Sequence, residues 1–139
     1  MNTQYNKTRH ACFLLNYHFI WIPKYRKSFL NDDNIKTIIL DSLKELSEKH
    51  DFQILETEIM PDHIHLFISA IPKYSPAQLI NIIKGTTGKR ILEQHPQYRT
   101  RSGSIWTRSY FVASAGNVSS DTIKKYIQSQ TKSGDKCCN

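Results

Sequence analysis

The order of strand-like and helix-like hydrophobic runs is the feature that most constrains how this chain folds. Residues 11–22 are dense in aromatic and β-branched side chains, which predicts a strand buried on both faces and ended by Pro23. An Asn/Asp cluster at 31–34 then offers an N-cap for an amphipathic helix that runs to about His50. The chain is therefore expected to open with a buried strand followed by a helix.

Three further strands are expected. The runs 52–59 and 63–71 flank the turn pair Pro61-Asp62 and predict a hairpin, and the run 105–114 predicts a last strand. Between them, Ser75-Pro76 begins a second helix that is expected to reach Gln94. We expect the segment "KGTTGKR" to interrupt this helix, because its two glycines have poor helix propensity.

A final helix is predicted after the cap residues "SSD" at 119–121. The order β-α-β-β-α-β is the split βαβ pattern of an α+β, ferredoxin-like fold, in which an antiparallel sheet carries its helices on one face. The last helix is added at the C-terminal end. We expect residues 1–139 to form one domain and residues 131–139 to be a disordered tail.

The charge balance favours an anionic partner. Lys and Arg number 19 against 12 Asp and Glu, a formal net charge of +7, which is typical of proteins that bind nucleic acid. Three cysteines, two of them adjacent at the C-terminal end, predict no disulfide framework. The sequence shows neither a signal peptide nor a membrane span, so we expect a cytoplasmic protein that associates with the nucleoid when it acts.

Two histidines, His63 and His65, alternate along the predicted hairpin strand and therefore point to one face. Their backbones are about 6–7 Å apart, close enough for both imidazoles to bind one cation. For such a pair alone, core packing is the favoured interpretation. A third ligand and a reactive group are needed to favour a metal site.

The last helix offers both groups. Tyr126 and Gln130 are four residues apart and lie on one helix face, and the amide oxygen of Gln130 can bind a metal. The alternative is that Ile123, Tyr126, Ile127 and Gln130 form an ordinary core stripe. Spacing alone leaves both interpretations open.

Five segments carry a resemblance to a known family. They are "YHFIWIPKYRK", "MPDHIHLFI", "KGTTGKRI", "IWTRSYFVAS" and "SSDTIKKYIQSQ", in this order from about residue 12 to residue 131. In this order they resemble the single-tyrosine HUH transposases, the TnpA enzymes of the IS200/IS605 insertion sequences. A His-x-His pair is a weak signal alone, whereas five segments in order are specific.

The resemblance implies an enzyme that cleaves and rejoins single-stranded DNA at the hairpin-marked ends of a mobile element. By position, His63, His65 and Gln130 would bind Mg²⁺ or Mn²⁺, and Tyr126 would be the nucleophile that forms a 5′-phosphotyrosine link. The family also implies a homodimer in which the tyrosine helix of one subunit can complete the other's site. Gly116 matches the glycine-containing hinge that allows this exchange, and Asn117 lies beside it, where the family commonly has a second glycine.

Candidate DNA-binding residues are basic and lie near aromatic side chains, which suits a phosphate track with stacking platforms. His18 lies in the first predicted strand, where we favour a core role over a role behind the metal site. The DNA-binding candidates are Arg9, Lys24, Tyr25, Arg26, Lys27, Lys84, Lys89, Arg90, Arg99, Arg101 and Arg108.

Other functions fit the sequence less well. A histidine-triad hydrolase needs a third alternating histidine where this chain has Phe67, and a two-histidine phosphoesterase needs a second His-x-Ser/Thr element that is missing. A non-catalytic, ferredoxin-like module that binds single-stranded nucleic acid remains open. So does a domesticated relative of the transposases that cuts palindromes without moving an element.

Overall fold

The computed structural model describes residues 6–7, 9–24, 29–114 and 124–129. Within them lie six strands, two long helices and two short 3₁₀ helices, the latter at Phe29–Asn31 and Pro96–Tyr98. A further helical segment, α3, covers residues 124–129. The other elements are β1 (Asn6–Lys7), β2 (Cys12–Phe13), β3 (Leu15–Trp21), α1 (Asp33–Lys49), β4 (Gln53–Ile59), β5 (Ile64–Ala70), α2 (Pro76–Gln94) and β6 (Phe111–Ser114).

The main sheet is antiparallel throughout and has the strand order β4-β5-β3-β6. The strands β1 and β2 form a separate two-stranded ribbon. Taken along the chain, the main sheet and its helices follow β3-α1-β4-β5-α2-β6, which is the split βαβ arrangement. The predicted α+β, ferredoxin-like fold is therefore confirmed, and β3 and β5 are its two central strands.

One face of the sheet forms the hydrophobic core with α1 and α2. Phe19 and Trp21 of β3 and Leu66 of β5 are fully buried in this cluster. They pack with residues that recur at helical spacing on the two helices, namely Ile35, Ile39, Leu43, Leu79, Ile80 and Ile83. Because side chains alternate along a strand, His18, Ile20 and His65 point to the opposite face.

Both long helices begin where their capping residues predict. The Asp32 carboxylate accepts hydrogen bonds from the backbone N–H groups of Asn34 and Ile35, which fixes the start of α1. Ser75 and Gln78 form a reciprocal capping box at the start of α2, with Pro76 in the first turn.

The predicted interruption of α2 is wrong, because the helix is continuous through "KGTTGKR". Gly88 explains why a poor helix former is used there: a Cβ at this position would lie 3.3 Å from the Trp106 indole. The indole N–H also donates to the Lys84 carbonyl at 3.1 Å and to the Thr87 hydroxyl at 3.2 Å. Tertiary packing against Trp106 thus offsets the helix propensity lost at Gly88.

The last predicted strand is shorter than expected, since only Phe111–Ser114 of the run 105–114 is strand. Ile105 and Trp106 are buried, and Trp106 forms an isolated bridge with Pro23. The carbonyls of residues 107–109 all accept hydrogen bonds from Lys84 Nζ. Consecutive carbonyls of a strand point to opposite sides, so three that converge on one nitrogen exclude extended strand geometry.

The predicted helix after 119–121 is helical over 124–129, while its cap and the predicted tail at 131–139 lie outside the described residues. In the part of the chain that the structure describes, no helix is long and apolar enough to cross a membrane.

Candidate active site

A row of four cross-strand neighbours defines the sheet face opposite the helices. His65 of β5 is paired with Glu58 of β4 on one side and with Ile20 of β3 on the other, and Ile20 is paired in turn with Phe111 of β6. Directly opposed residues point to the same face, so these four side chains share one surface. We call this surface the histidine face.

His63 lies beside the row, at the start of β5, where its carbonyl accepts a hydrogen bond from the Met60 N–H at 2.9 Å. Its Nδ1 lies 2.7 Å from Asp62 Oδ1. A carboxylate on Nδ1 holds the proton there in the neutral ring and leaves a lone pair on Nε2, the tautomer of a metal-binding histidine. Asp62 is half exposed, whereas His63 is 9% exposed.

His18 of β3 is a third histidine on this face, and it contacts His65. Its Nδ1 lies 3.0 Å from His65 Nε2, and its ring stacks on Phe67 with centroids 4.0 Å apart. His18 is buried as the core interpretation expects, at 4% exposure, but it contacts the predicted site and is not a member of the hydrophobic cluster. Strand parity is a weak signal for this contact at the sequence level, because it puts the His18 side chain on the histidine face.

Electrostatics keep the His65 ring neutral. Burial lowers the pKa of His65, and the neighbouring imidazole of His18 lowers it further, while the charge of Glu56 acts in the opposite direction. A hydrogen bond that the protonated Glu56 carboxyl donates to Glu58, together with the charge of Glu58, raises the pKa of Glu56. A neutral imidazole with an available lone pair is the form that binds a metal.

Tyr126 of α3 lies at the other end of the row. Its phenol oxygen is 3.0 Å from Ser109 Oγ, and its ring centroid is 6.0 Å from that of Phe111. Phe111 is two strands from His65, a backbone separation of about 10 Å at the usual strand spacing. The fold thus places Tyr126 against the strand next to the one that carries His18. Ser109 was missed at the sequence level, since a serine in a loop carries no distinctive pattern.

Two imidazoles on this face, those of His63 and His65, are suited to bind a divalent cation through nitrogen. His63 has its tautomer set by Asp62, and His65 is neutral. Among the described residues, no group of three His, Cys, Asp or Glu side chains is placed to hold a metal. The predicted third ligand, Gln130, lies outside the described residues.

A basic groove runs between α2 and residues 99–108. Its two adjoining parts share Lys84, Gly85, Ser104 and Trp106. The basic side chains that line it are Lys24, Lys84, Lys89, Arg99 and Arg108. Lys24 donates to Ser102 Oγ at 2.5 Å, which ties the end of β3 to this groove.

The other predicted DNA-binding residues lie apart from the groove or outside the described ranges. Arg9 and Arg101 are exposed. Arg90 pairs with Glu45 of α1 through two nitrogens and donates to Ser42 at 3.2 Å. Tyr25, Arg26 and Lys27, like the predicted hinge residues Gly116 and Asn117, are outside the described residues.

An antiparallel sheet with its helices in this arrangement matches the fold of the tyrosine transposases. The family model described as "Transposase IS200 like" matches residues 11–130. This match spans most of the chain, and the protein therefore belongs to the IS200/IS605 family of transposases.

Individual relatives agree with this assignment. The chain is 30% identical over 126 residues to the ISDra2 transposase TnpA of Deinococcus radiodurans, covering 89% of each protein. It is 28% identical over 123 residues to the transposase for insertion sequence element IS200 of Salmonella typhimurium, covering 87% of this chain and 80% of that protein.

Two solved structures share the fold. A crystal structure from Deinococcus radiodurans, described as that of a candidate transposase, superposes with a TM-score of 0.79 at 28% identity and covers 90% of this chain and 97% of its own. The structure of a REP-associated tyrosine transposase bound to a REP hairpin has a TM-score of 0.57 at 12% identity, with 93% and 74% covered. The second likeness concerns the fold alone.

Proposed function

We propose that this protein, acting as one domain, cleaves and rejoins single-stranded DNA at the hairpin-marked ends of an insertion sequence, with Tyr126 as the nucleophile. The observation that carries the proposal is the position of Tyr126 on the histidine face, with its ring against Phe111 in the row that contains His65. A tyrosine in the core stripe of a helix would be expected to pack among aliphatic side chains instead. Membership of the transposase family supports the same conclusion.

In the cleavage step, the Tyr126 phenol oxygen attacks the scissile phosphorus. A tyrosine O–P bond forms, the bond from phosphorus to the 3′ oxygen breaks, and the phenol proton is passed to the leaving 3′ oxygen through solvent. The products are a 5′-phosphotyrosine link and a free 3′-hydroxyl. Rejoining is the reverse reaction with another 3′-hydroxyl, because the covalent link conserves the energy of the broken bond.

His63 and His65 would hold the divalent cation, with Asp62 fixing the His63 ring and Gln130 as the proposed third ligand. When bound, Mg²⁺ or Mn²⁺ supplies positive charge that polarises a non-bridging phosphate oxygen. The chain's own contribution is to orient both imidazoles, favour the neutral form of His65 and hold the phenol on the same face of the sheet.

Single-stranded DNA is the proposed partner. The net charge of +7 and the basic groove supply sites for phosphates, with Lys89, Arg99 and Arg108 as the proposed contacts of the groove. One solved structure with this fold has a DNA hairpin bound, which supports a hairpin as the element that is recognised. We further propose a cytoplasmic homodimer whose tyrosine helices can be exchanged at Gly116 and Asn117.

The test uses single-stranded oligonucleotides that carry the palindromes flanking the coding region, with Mg²⁺ or with EDTA. We expect a protein-DNA adduct that resists denaturation, requires Mg²⁺ and is lost in Tyr126→Phe. Tyr74→Phe is the matched control, because Tyr74 bonds His50 away from the histidine face. The same DNA as a duplex should not react.

An adduct that persists in Tyr126→Phe would overturn the nucleophile assignment. Tight binding of the hairpin without cleavage in any metal would instead favour the non-catalytic binding module.

A further inference from the structure

We propose that Lys84 is a positioning residue for Tyr126, which acts through Ser109 and not through contact with DNA. The inference rests on the proposed function, since it assigns a role relative to the nucleophile. Lys84 Nζ donates to three consecutive backbone carbonyls, those of Thr107 at 2.7 Å, Arg108 at 3.2 Å and Ser109 at 3.0 Å. An ammonium group has three protons, and these three acceptors match them.

The three bonds fold residues 107–109 into a tight curve immediately before β6. This curve ends in Ser109, whose hydroxyl is 3.0 Å from the Tyr126 phenol oxygen. Two hydrogen bonds through Ser109 therefore connect the ammonium of Lys84 to the phenol. Moving the Ser109 carbonyl would move its hydroxyl as well, because both belong to one residue with few free torsions.

Lys84 is itself held in place by the packing of α2. The Lys84 carbonyl accepts the Trp106 indole N–H at 3.1 Å, and the indole lies against Gly88. Trp106 directly precedes the curved segment. Helix α2 therefore contacts this part of the chain at two neighbouring places, the Trp106 indole and the carbonyls of residues 107–109. Backbone pairing reaches Thr107, whose N–H donates to the Ile22 carbonyl at 3.0 Å, and the Lys84 side chain then holds the carbonyls of residues 107–109.

The competing interpretation is that Lys84 binds a DNA phosphate, as its place in the basic groove suggests. The two roles make different kinetic predictions. Loss of a phosphate contact weakens DNA binding. It also lowers the slope of the logarithm of the dissociation constant against the logarithm of salt concentration by about 1. Loss of a positioning contact leaves binding unchanged and slows the reaction of bound DNA.

The experiment measures hairpin oligonucleotide binding over a salt series and single-turnover adduct formation at saturating DNA for Lys84→Met, Ser109→Ala and Ser109→Thr. Lys89→Met serves as the comparison within the groove, because Lys89 is exposed on the same helix. Lys44→Met on α1 controls for the loss of one charge. Circular dichroism checks that each variant is folded.

We expect Lys84→Met and Ser109→Ala to bind DNA as tightly as the wild type and to form the adduct about 10-fold more slowly, the scale of one hydrogen bond. Ser109→Thr should restore the rate, because it keeps the hydroxyl. If Lys84→Met behaves like Lys89→Met, with weaker binding, a smaller salt slope and an unchanged rate at saturation, Lys84 is a phosphate contact and the proposal is wrong.

A second measurement needs no reaction. In protein labelled with ¹³C at tyrosine Cζ, the Tyr126 signal is assigned by its loss in Tyr126→Phe. Lys84→Met and Ser109→Ala should both shift this signal towards that of free tyrosine, whereas Lys89→Met should not. An unchanged Tyr126 signal in Lys84→Met overturns the proposal even where adducts form. A shifted Tyr126 signal in a protein that forms no adduct supports the link from Lys84 through Ser109 to Tyr126 and rejects only the proposed function.

Discussion

His18 Nδ1 lies 3.0 Å from His65 Nε2, and this contact joins the two central strands of the sheet on the histidine face. Only one of the two nitrogens can hold the shared proton, so the tautomers of the two rings are coupled and each ring restrains the orientation of the other. The stacking of His18 on Phe67 removes the freedom of His18 to turn away. The orientation of one proposed metal ligand is therefore decided by a residue on a different strand.

His18→Phe is expected to weaken Mn²⁺ binding about 10-fold, because the proposed metal ligand His65 loses the contact that orients it. Phenylalanine keeps the aromatic stack on Phe67, so the fold should be retained. Calorimetric titration with Mn²⁺ measures the affinity. His95→Phe is the control, since His95 bonds Asn34 at the helical side of the molecule. Unchanged or tighter Mn²⁺ binding in His18→Phe contradicts the orienting role.

Asp62→Ala should also weaken Mn²⁺ binding by about 10-fold or more, since the His63 proton is then no longer held on Nδ1. NMR of the imidazole nitrogens in the metal-free protein provides a direct check. We expect His63 to change from a single tautomer to a mixture, with His65 unaffected. If His63 keeps one tautomer in Asp62→Ala, the 2.7 Å contact does not set it.

The two glycines of α2 should respond in opposite ways to alanine. A Cβ at Gly85 meets nothing within 4 Å, so Gly85→Ala should raise the free energy of unfolding by about 0.5–1 kcal/mol through helix propensity. A Cβ at Gly88 would lie too close to the buried Trp106 indole, so Gly88→Ala should lower the free energy of unfolding by about 1–3 kcal/mol. Urea unfolding measures both. Equal effects of the two substitutions would show that the Trp106 contact is not close.

Arg90→Met should lower stability more at neutral pH than in strong acid, because the bond to Ser42 is lost at every pH, whereas the pair with Glu45 exists only where the carboxyl is ionised. The hydrogen bond from Arg90 lowers the pKa of the Glu45 carboxyl, so the stabilisation is present above the carboxyl's ordinary value of 4.5 and is lost as pH falls through the lower, folded value. The effect should be small, because the Glu45 side chain is largely exposed and that of Arg90 is about one-third exposed. Thermal unfolding of Arg90→Met and wild type between pH 2 and pH 7 tests it, and a difference of the same size at both ends of this range excludes a contribution of the Glu45 pair.

Exchange of the tyrosine helix between subunits predicts complementation. A Tyr126→Phe protomer mixed with a His63→Ala protomer should regain adduct formation in the mixed dimer, because one composite site is then intact. Each variant alone should be inactive. If activity returns only when wild-type protein is added, each site is built from a single chain.

Local patterns in the sequence were sufficient for the secondary structure that depends on neighbouring residues. Asp32 and Ser75 cap the helices that follow them, and hydrophobic alternation predicted β3 and the β4-β5 hairpin. The order of these elements predicted the ferredoxin-like sheet, since short connections leave few ways to pack them. The resemblance of five ordered segments identified the family, which the match over residues 11–130 then established.

Contacts between residues distant in the chain were decided only by the tertiary structure. Continuous helix through Gly88 depends on Trp106, and the short β6 depends on Lys84, which lies 23 to 25 positions from the carbonyls it binds. Strand parity put His18 and His65 on the same face but could not pair their nitrogens. Sequence periodicity fixes the direction in which a side chain points, whereas its partners depend on how the elements pack together.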